Sequence, residues 1–206
     1  MLKFVLVVCL FFGNFAFAKK SEKNDRTVSI KRQAEILAEI NGGLTKITDM
    51  KIGFRQSVEG KAENGFAEFK RGYGIFIKYQ TMPITLLANK DITVYYDSKM
   101  DQKSEIPTKD SAAKIFTGTM QIDDKMFDII SVAETNEAYS VVATVKRMKA
   151  EGIITMYFSK SDLLLRRVDI DSPQNEKLRI DIFSHNFETV SLERFKAINI
   201  KNENLD

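Results

Sequence analysis

From Met50 to Phe183, apolar residues return at every second position, in one short run after another. That period belongs to strands whose two faces meet different surroundings, and it argues against a helical bundle. Met50, Ile52, Phe54 and Gln56 share one side of a first strand. Phe66 to Lys70 form a second, after a turn running from Glu59-Gly60-Lys61 to Gly65. Ile75, Ile77 and Tyr79 alternate with Phe76 and Lys78 on a third. Ile84 to Ala88, Ile92 to Asp97 and a polar stretch from Lys99 to Glu105 continue the series, which Pro107 stops. Farther on, Tyr139, Val141, Ala143 and Val145 share a face, and residues 153–158 are apolar on both. Leu163 to Ile170 alternate less cleanly, and Leu178, Ile180 and Ile182 oppose Arg179, Asp181 and Phe183. Many short strands at regular spacing predict a barrel or a strongly curved antiparallel sheet.

Two stretches break the period. Residues 29–48 place Ile30, Ala34, Leu37 and Ile40 at helical spacing, with Ser29 as N-cap and Gly42-Gly43 as punctuation. Residues 108–117 predict a shorter helix, with Thr108 as cap and Ala112, Ile115 and Phe116 on its apolar side. Residues 125–132 are apolar and fit either state. Two helices are too few to cover both faces of a large sheet. A small closed barrel fills its interior with its own side chains. A half-open one needs a lid, and the two helices are the elements at hand to supply it.

Residues 1–18, MLKFVLVVCLFFGNFAFA, have the layout of a signal peptide. Lys3 precedes an apolar run, and Ala16-Phe17-Ala18 offers a small-x-small cleavage site. The run is too short to span a bilayer. The expected organisation is a signal peptide at 1–18, a flexible leader at 19–28, one domain at 29–200 and a tail at 201–206. The single cysteine, Cys9, lies inside the signal. Without it the chain has no thiol for a disulfide, for catalysis or for a metal. Such a chain suits an oxidising compartment, and the periplasm is the expected one. The net charge is +3, with acidic and basic residues interspersed. Nucleic-acid binding needs a concentrated basic patch, so no such partner is expected.

Chemistry is hard to find. His185 is the only histidine, so a metal site would rest almost wholly on carboxylates. No Gly-x-Ser-x-Gly elbow and no glycine-rich phosphate loop occurs. Asp123-Asp124 reads as a turn, and Asp169 and Asp171 as solvated charge. The expectation is no enzyme, no cofactor and no metal.

One corner stands out, AEFKRGYGIF at 67–76, where a strand runs into a Lys-Arg pair between apolar segments. A surface hairpin is the bland reading. With its neighbours, however, the order of motifs resembles the periplasmic outer-membrane lipoprotein carrier family, LolA. The resemblance rests on Phe54-Arg55-Gln56, then Gly65, Phe69, Lys70-Arg71, Phe76 and Pro83, then Asn89-Lys90-Asp91, Val94-Tyr95-Tyr96-Asp97 and Gln102. It spans residues 29–105, and the rest fits by strand pattern only. Gly72 stands where the family has proline, a residue is inserted around Tyr73, Lys78 replaces a tryptophan, and Lys90 replaces a glycine.

The resemblance implies a mainly β fold, an incomplete, half-open antiparallel barrel whose hydrophobic cavity is closed by a helical lid. It implies that acyl chains of lipoproteins are received from an inner-membrane ABC transporter complex and delivered to an outer-membrane lipoprotein receptor, by a monomeric carrier. Arg71 matches the arginine that latches the lid through backbone carbonyls. Candidate cavity residues are Ile52, Phe54, Phe69, Phe76, Ile77, Leu86, Val94, Tyr96, Ile115, Phe116, Met156 and Phe158. Alternatives are a carrier of free lipid or glycolipid, and a non-catalytic lipid-sensing or protein-binding adaptor that pairs through its sheet edge.

Overall fold

The computed structural model describes residues 28–111, 113–118, 120–146, 152–172 and 177–196. The expected signal peptide and the tail at 201–206 lie outside the described residues, as does the leader except for Val28. Among the described residues, eleven strands form one antiparallel sheet. In chain order they are β1 (Asp49–Val58), β2 (Lys61–Lys70), β3 (Gly74–Tyr79), β4 (Ile84–Asn89), β5 (Ile92–Asp97), β6 (Gln102–Pro107), β7 (Phe127–Glu134), β8 (Ala138–Val145), β9 (Ile153–Ser159), β10 (Leu165–Asp171) and β11 (Lys177–Asn186). The spatial order is β6-β5-β4-β3-β2-β1-β11-β10-β9-β8-β7. β6 and β7 are the two edges, so the sheet is open. Helix α1 (Ile30–Leu44) precedes it, and a 3₁₀ turn (Thr108–Asp110) and helix α2 (Lys114–Thr117) interrupt it.

Local chemistry explains most boundaries. β1 and β2 are joined by Glu59 and Gly60 alone, with φ of 48° and 79°. Two consecutive positive φ values make the hairpin turn that matches strand twist, and glycine is the residue that takes one without strain. The longer turn expected up to Gly65 therefore shrinks. Gly65 sits inside β2 because the Phe54 ring lies across it, and an added Cβ would meet Phe54 Cζ at 2.4 Å. Pro107 ends β6 on an edge, where its missing N–H costs least. The ambiguous segment at 125–132 contributes to β7, where a bulge between Ile129 and Ser131 leaves Ile130 exposed.

By packing density the chain divides into two units, and β1 and β11 each run through both. The first holds α1, the turn after β1, and β7 to β10. Ser29 caps α1, its hydroxyl accepting from Arg32 N–H at 3.3 Å. The buried stripe of the helix is Ile36, Ile40 and Leu44 at four-residue spacing, and Ile30 points to solvent. Gly42 and Gly43 do not end the helix, which continues to Leu44. On the sheet of this unit Val168 pairs with Met156, which pairs with Val141, which pairs with Val132, an apolar row. The reverse face is polar, with Arg167–Asp181 at 2.8 Å and Arg179–Asp169 at 3.0 Å. The second unit holds β2 to β6, the 108–117 segment and the chain after β11. Its central strand β4 is buried on both faces, from Ile84 to Ala88 without interruption, whereas the edge strand β6 is exposed.

The two helix glycines differ in kind. An added Cβ meets nothing within 4 Å at Gly42, but meets Leu163 Cβ at 2.8 Å at Gly43. Gly42→Ala should therefore raise stability by about 0.5–1 kcal/mol through helix propensity alone. Gly43→Ala should lower it, because Leu163 must move. Urea midpoints of the two variants measure the contrast, and equal shifts would refute the close approach of α1 to Leu163.

Candidate functional site

In an antiparallel pair, directly opposed residues share a side of the sheet. In the second unit Phe69 opposes Ile75, which opposes Ala88, and Ile77 opposes Leu86. These residues define one face. β1 adds Phe54, whose ring meets Tyr79 edge-on at 5.5 Å and 89°, and Gln56, which accepts a hydrogen bond from the Tyr79 hydroxyl at 2.6 Å. The 108–117 segment lies on this face. Thr93 Oγ1 is 3.0 Å from Thr108 Oγ1 and 2.9 Å from Ser111 Oγ, and α2 packs on β3 and β4. The expected continuous helix is instead one 3₁₀ turn and one α-turn. Phe116 is half-buried in α2.

The opposite face of the same strands is a finished core. Phe76, Leu87, Val94 and Tyr96 cluster there with Val190 and Phe195 from the chain after β11. The twelve candidate cavity residues thus do not share one face. Phe69, Ile77 and Leu86 lie on the side of Phe54, and Ile52 is two residues before Phe54 on β1. Phe76, Val94 and Tyr96 must be withdrawn from a common lining, because period two puts them on the other side, under the C-terminal segment. Met156 and Phe158 are buried in β9 of the first unit. Ile115 lies in α2.

The basic pair is tied to the chain entering β1. Gly72 has φ 73° in a tight turn closed by Tyr73 N–H on the Lys70 carbonyl at 3.0 Å. Proline cannot take that φ, so the turn differs locally from the family pattern. The turn points Arg71 at residues 47 and 48. Its backbone N–H donates to the Thr48 carbonyl at 2.7 Å and its Nε to the Ile47 carbonyl at 2.8 Å. Lys70 Nζ contacts Asp49 Oδ1 at 2.5 Å, and Val190 N–H donates to the same oxygen at 2.9 Å. Burial pushes the Asp49 carboxyl up, but the Lys70 and Val190 hydrogen bonds outweigh it and hold the group below its ordinary value. Burial also lowers the Arg71 guanidinium.

In the first unit a polar clasp holds α1. Arg32 makes a fork on Glu134, Nε to Oε2 at 3.0 Å and Nη2 to Oε1 at 2.9 Å. Lys160 Nζ shares Oε1 at 2.6 Å. Tyr139 donates to Glu39 at 2.5 Å, and Lys160 Nζ stands 5.1 Å from the Tyr139 ring centre. Asn41 adds a reciprocal pair with the backbone of Ile122, at 3.0 and 2.8 Å. Nothing local in the sequence announces this clasp, since Arg32 and Glu134 are 102 residues apart. The Gln56–Tyr79 pair is also invisible to periodicity, which registers only that both face inward.

The clasp has a pH signature. The Arg32 hydrogen bonds, then that of Lys160, hold the Glu134 carboxyl down at about 2, against 4.5 ordinarily. A carboxylate depressed by folding adds stability above its unfolded pKa, and that contribution is lost as pH falls through the folded one. Glu134→Gln should thus be less stable than the parent at pH 7. The gap should close as pH drops from about 4.5 to about 2. Denaturant midpoints at pH 7 and pH 3 measure it, and a gap independent of pH would sink the clasp.

No protein-family model and no curated protein matches the sequence. Among solved structures, an uncharacterized conserved protein from Thermus thermophilus aligns with a TM-score of 0.54 at 10% identity, over 79% of this chain and 91% of that one. A DUF1329 family protein from Desulfovibrio piger ATCC 29098 aligns with a TM-score of 0.50 at 10% identity, over 83% and 98%. A LolA superfamily protein from Nitrosomonas europaea aligns with a TM-score of 0.45 at 7% identity, over 80% and 99%. The first two carry the likeness, which at these identities is one of fold. The fold of this chain is mainly β, an open antiparallel sheet.

Proposed function

We propose that this protein is a non-catalytic periplasmic carrier for the acyl chains of lipoproteins. In this reading an inner-membrane ABC transporter complex loads it and an outer-membrane receptor unloads it. The observation that carries the reading is the covered apolar face of the second unit. Ile77 and Leu86, with Phe54 and Phe69 on the same side, lie on a face where two separate single turns pack against β3, β4 and β5. A single turn is not stable without packing, because nucleation is the costly step of helix formation. Such a cover peels off more easily than a long helix does.

Energetics explains why a carrier needs that cover. Each buried methylene contributes about 0.8 kcal/mol, so several long acyl chains exceed the affinity ceiling of roughly 20 kcal/mol on paper. A carrier bound so tightly would not release its load. An apolar cover that occupies the site in the empty protein subtracts its own burial from the gain. The net affinity is then a small difference, and handover needs no nucleotide at the carrier. Arg71 sets the empty state in this scheme, because its bonds to the Ile47 and Thr48 carbonyls hold the chain that leaves α1.

The test is native mass spectrometry of residues 19–206 purified from a bacterial periplasm, beside Arg71→Leu. An acylated protein should co-purify and persist longer on the variant, since loss of the arginine weakens the closed state. Free lipid alone would replace lipoprotein by lipid as cargo. A protein that stays empty and ignores added lipopeptide would end the carrier reading and leave the adaptor.

A further inference from the structure

Gln56 is 2% exposed, and its Nε2 has no hydrogen-bond partner among the described residues. Its Oε1 is used, accepting from the Tyr79 hydroxyl at 2.6 Å. Turning the amide over does not help. Nε2 would then donate to the phenol oxygen, leaving both Oε1 and the phenol proton unpaired. In either orientation the pair keeps unused capacity, and the observed one concentrates it in two N–H donors. Folded proteins rarely bury such donors unpaired, and the exceptions call for a specific reason. A trapped water is a poor candidate, since it wants two to four polar partners. Beside it the Phe54 and Tyr79 rings meet edge-on, and the Tyr79 phenol proton is already given to Oε1.

We propose that Gln56 Nε2 is a recognition point for the carbonyl oxygen of a fatty acyl ester or amide, whose chain lies along Phe54, Ile77 and Leu86. The inference rests on the carrier reading and specifies which part of the cargo is read. The amide supplies donors only, and an acyl chain carries its one strong acceptor at the carbonyl. A free fatty acid fits less well. Burial pushes the Tyr79 phenol well above its ordinary range, and the charges of Tyr95 and Glu63 push the same way. Surroundings that resist a phenolate also resist a carboxylate. A neutral carbonyl takes the same hydrogen bond without that penalty.

The pair also has a role before cargo arrives. An unpaired donor makes the empty site less favourable than an apolar one of the same shape. Cargo with a carbonyl relieves that deficit, whereas a plain alkyl chain, or a cover built from side chains such as Phe116, cannot. The amide thus biases exchange toward acylated ligands over the protein's own apolar groups.

The experiment titrates the wild type and Gln56→Met/Tyr79→Phe calorimetrically with three short-chain probes. These are a diacylglyceryl-cysteine lipopeptide, its dialkyl-ether counterpart, and a diester phosphatidylcholine of equal chain length. Replacing both partners avoids stranding the phenol, so the double variant should fold and melt no lower than the wild type. Tyr79→Phe alone is the control that keeps the amide. Wild type and Tyr79→Phe should prefer the diester lipopeptide to the diether by about tenfold, the scale of one net hydrogen bond. The double variant should bind both at the diether level. The phosphatidylcholine arm separates the sources of the carbonyl. Binding there equal to the lipopeptide means that the site reads any acyl ester, and weaker binding means lipopeptide cargo. Equal diester and diether affinities in the wild type would overturn the recognition point while leaving the carrier standing. A wild type that binds none of the three would overturn the carrier, and this inference with it.

Discussion

A strand that is apolar on both faces has no solvent side, and the second unit is built around strands of that kind. β4 is buried from Ile84 to Ala88 without a break. Each face must therefore find a cover, and the chain supplies two of different quality. One face receives Val190 and Phe195, which join Phe76, Leu87, Val94 and Tyr96 in a closed cluster. Arg194 reinforces it from outside, stacked 4.8 Å from the Phe76 ring centre and paired with Glu68. The other face receives the two short turns of 108–117, held through the hydroxyls of Thr93, Thr108 and Ser111. In the proposed carrier the first cover is the permanent one and the second the one that cargo displaces.

Polar contacts do the holding where burial alone would be too permissive. Lys70 and Asp49 secure the corner between the β2–β3 turn and the start of β1. Arg32, Glu134, Lys160 and Glu39 secure α1 on β7 and β8. Directional bonds of this sort specify one arrangement, whereas apolar surfaces tolerate sliding. In the proposed carrier, these polar corners would keep the rest of the fold in register while a cover moves.

Much of the sheet was legible in the sequence because period two is a local signal. Every run with clear alternation became a strand, and Gly60, Gly72 and Pro107 fell at turns or strand ends, although Gly65 lies inside β2. Faces were less legible. Ile77 and Phe76 are neighbours of similar hydrophobicity, yet they lie on opposite sides with different covers. Nothing near them in sequence says which side the chain after residue 186 will choose. Gly42-Gly43 misled for a related reason. Glycine pairs usually end helices, but Gly43 is there to let Leu163 approach, a contact 120 residues away in sequence. The clasp of Arg32 on Glu134 was illegible for the same reason of distance.

The candidate site shows the same division between local and long-range information. The motif Phe54-Arg55-Gln56 stood out as a resemblance before any role could be given to its glutamine. Alternation says only that Gln56 faces inward with Phe54. It takes the register of β1, β2 and β3 to bring Tyr79 to the carboxamide and to show that one end of it stays unpaired. An apolar pair in place of Gln56 and Tyr79 would pack as well and remove a buried polar cost, so packing gives no reason for the amide–phenol pair. A ligand with an oxygen to offer does. The physical oddity of the core and the proposed task of the protein thus meet at one residue.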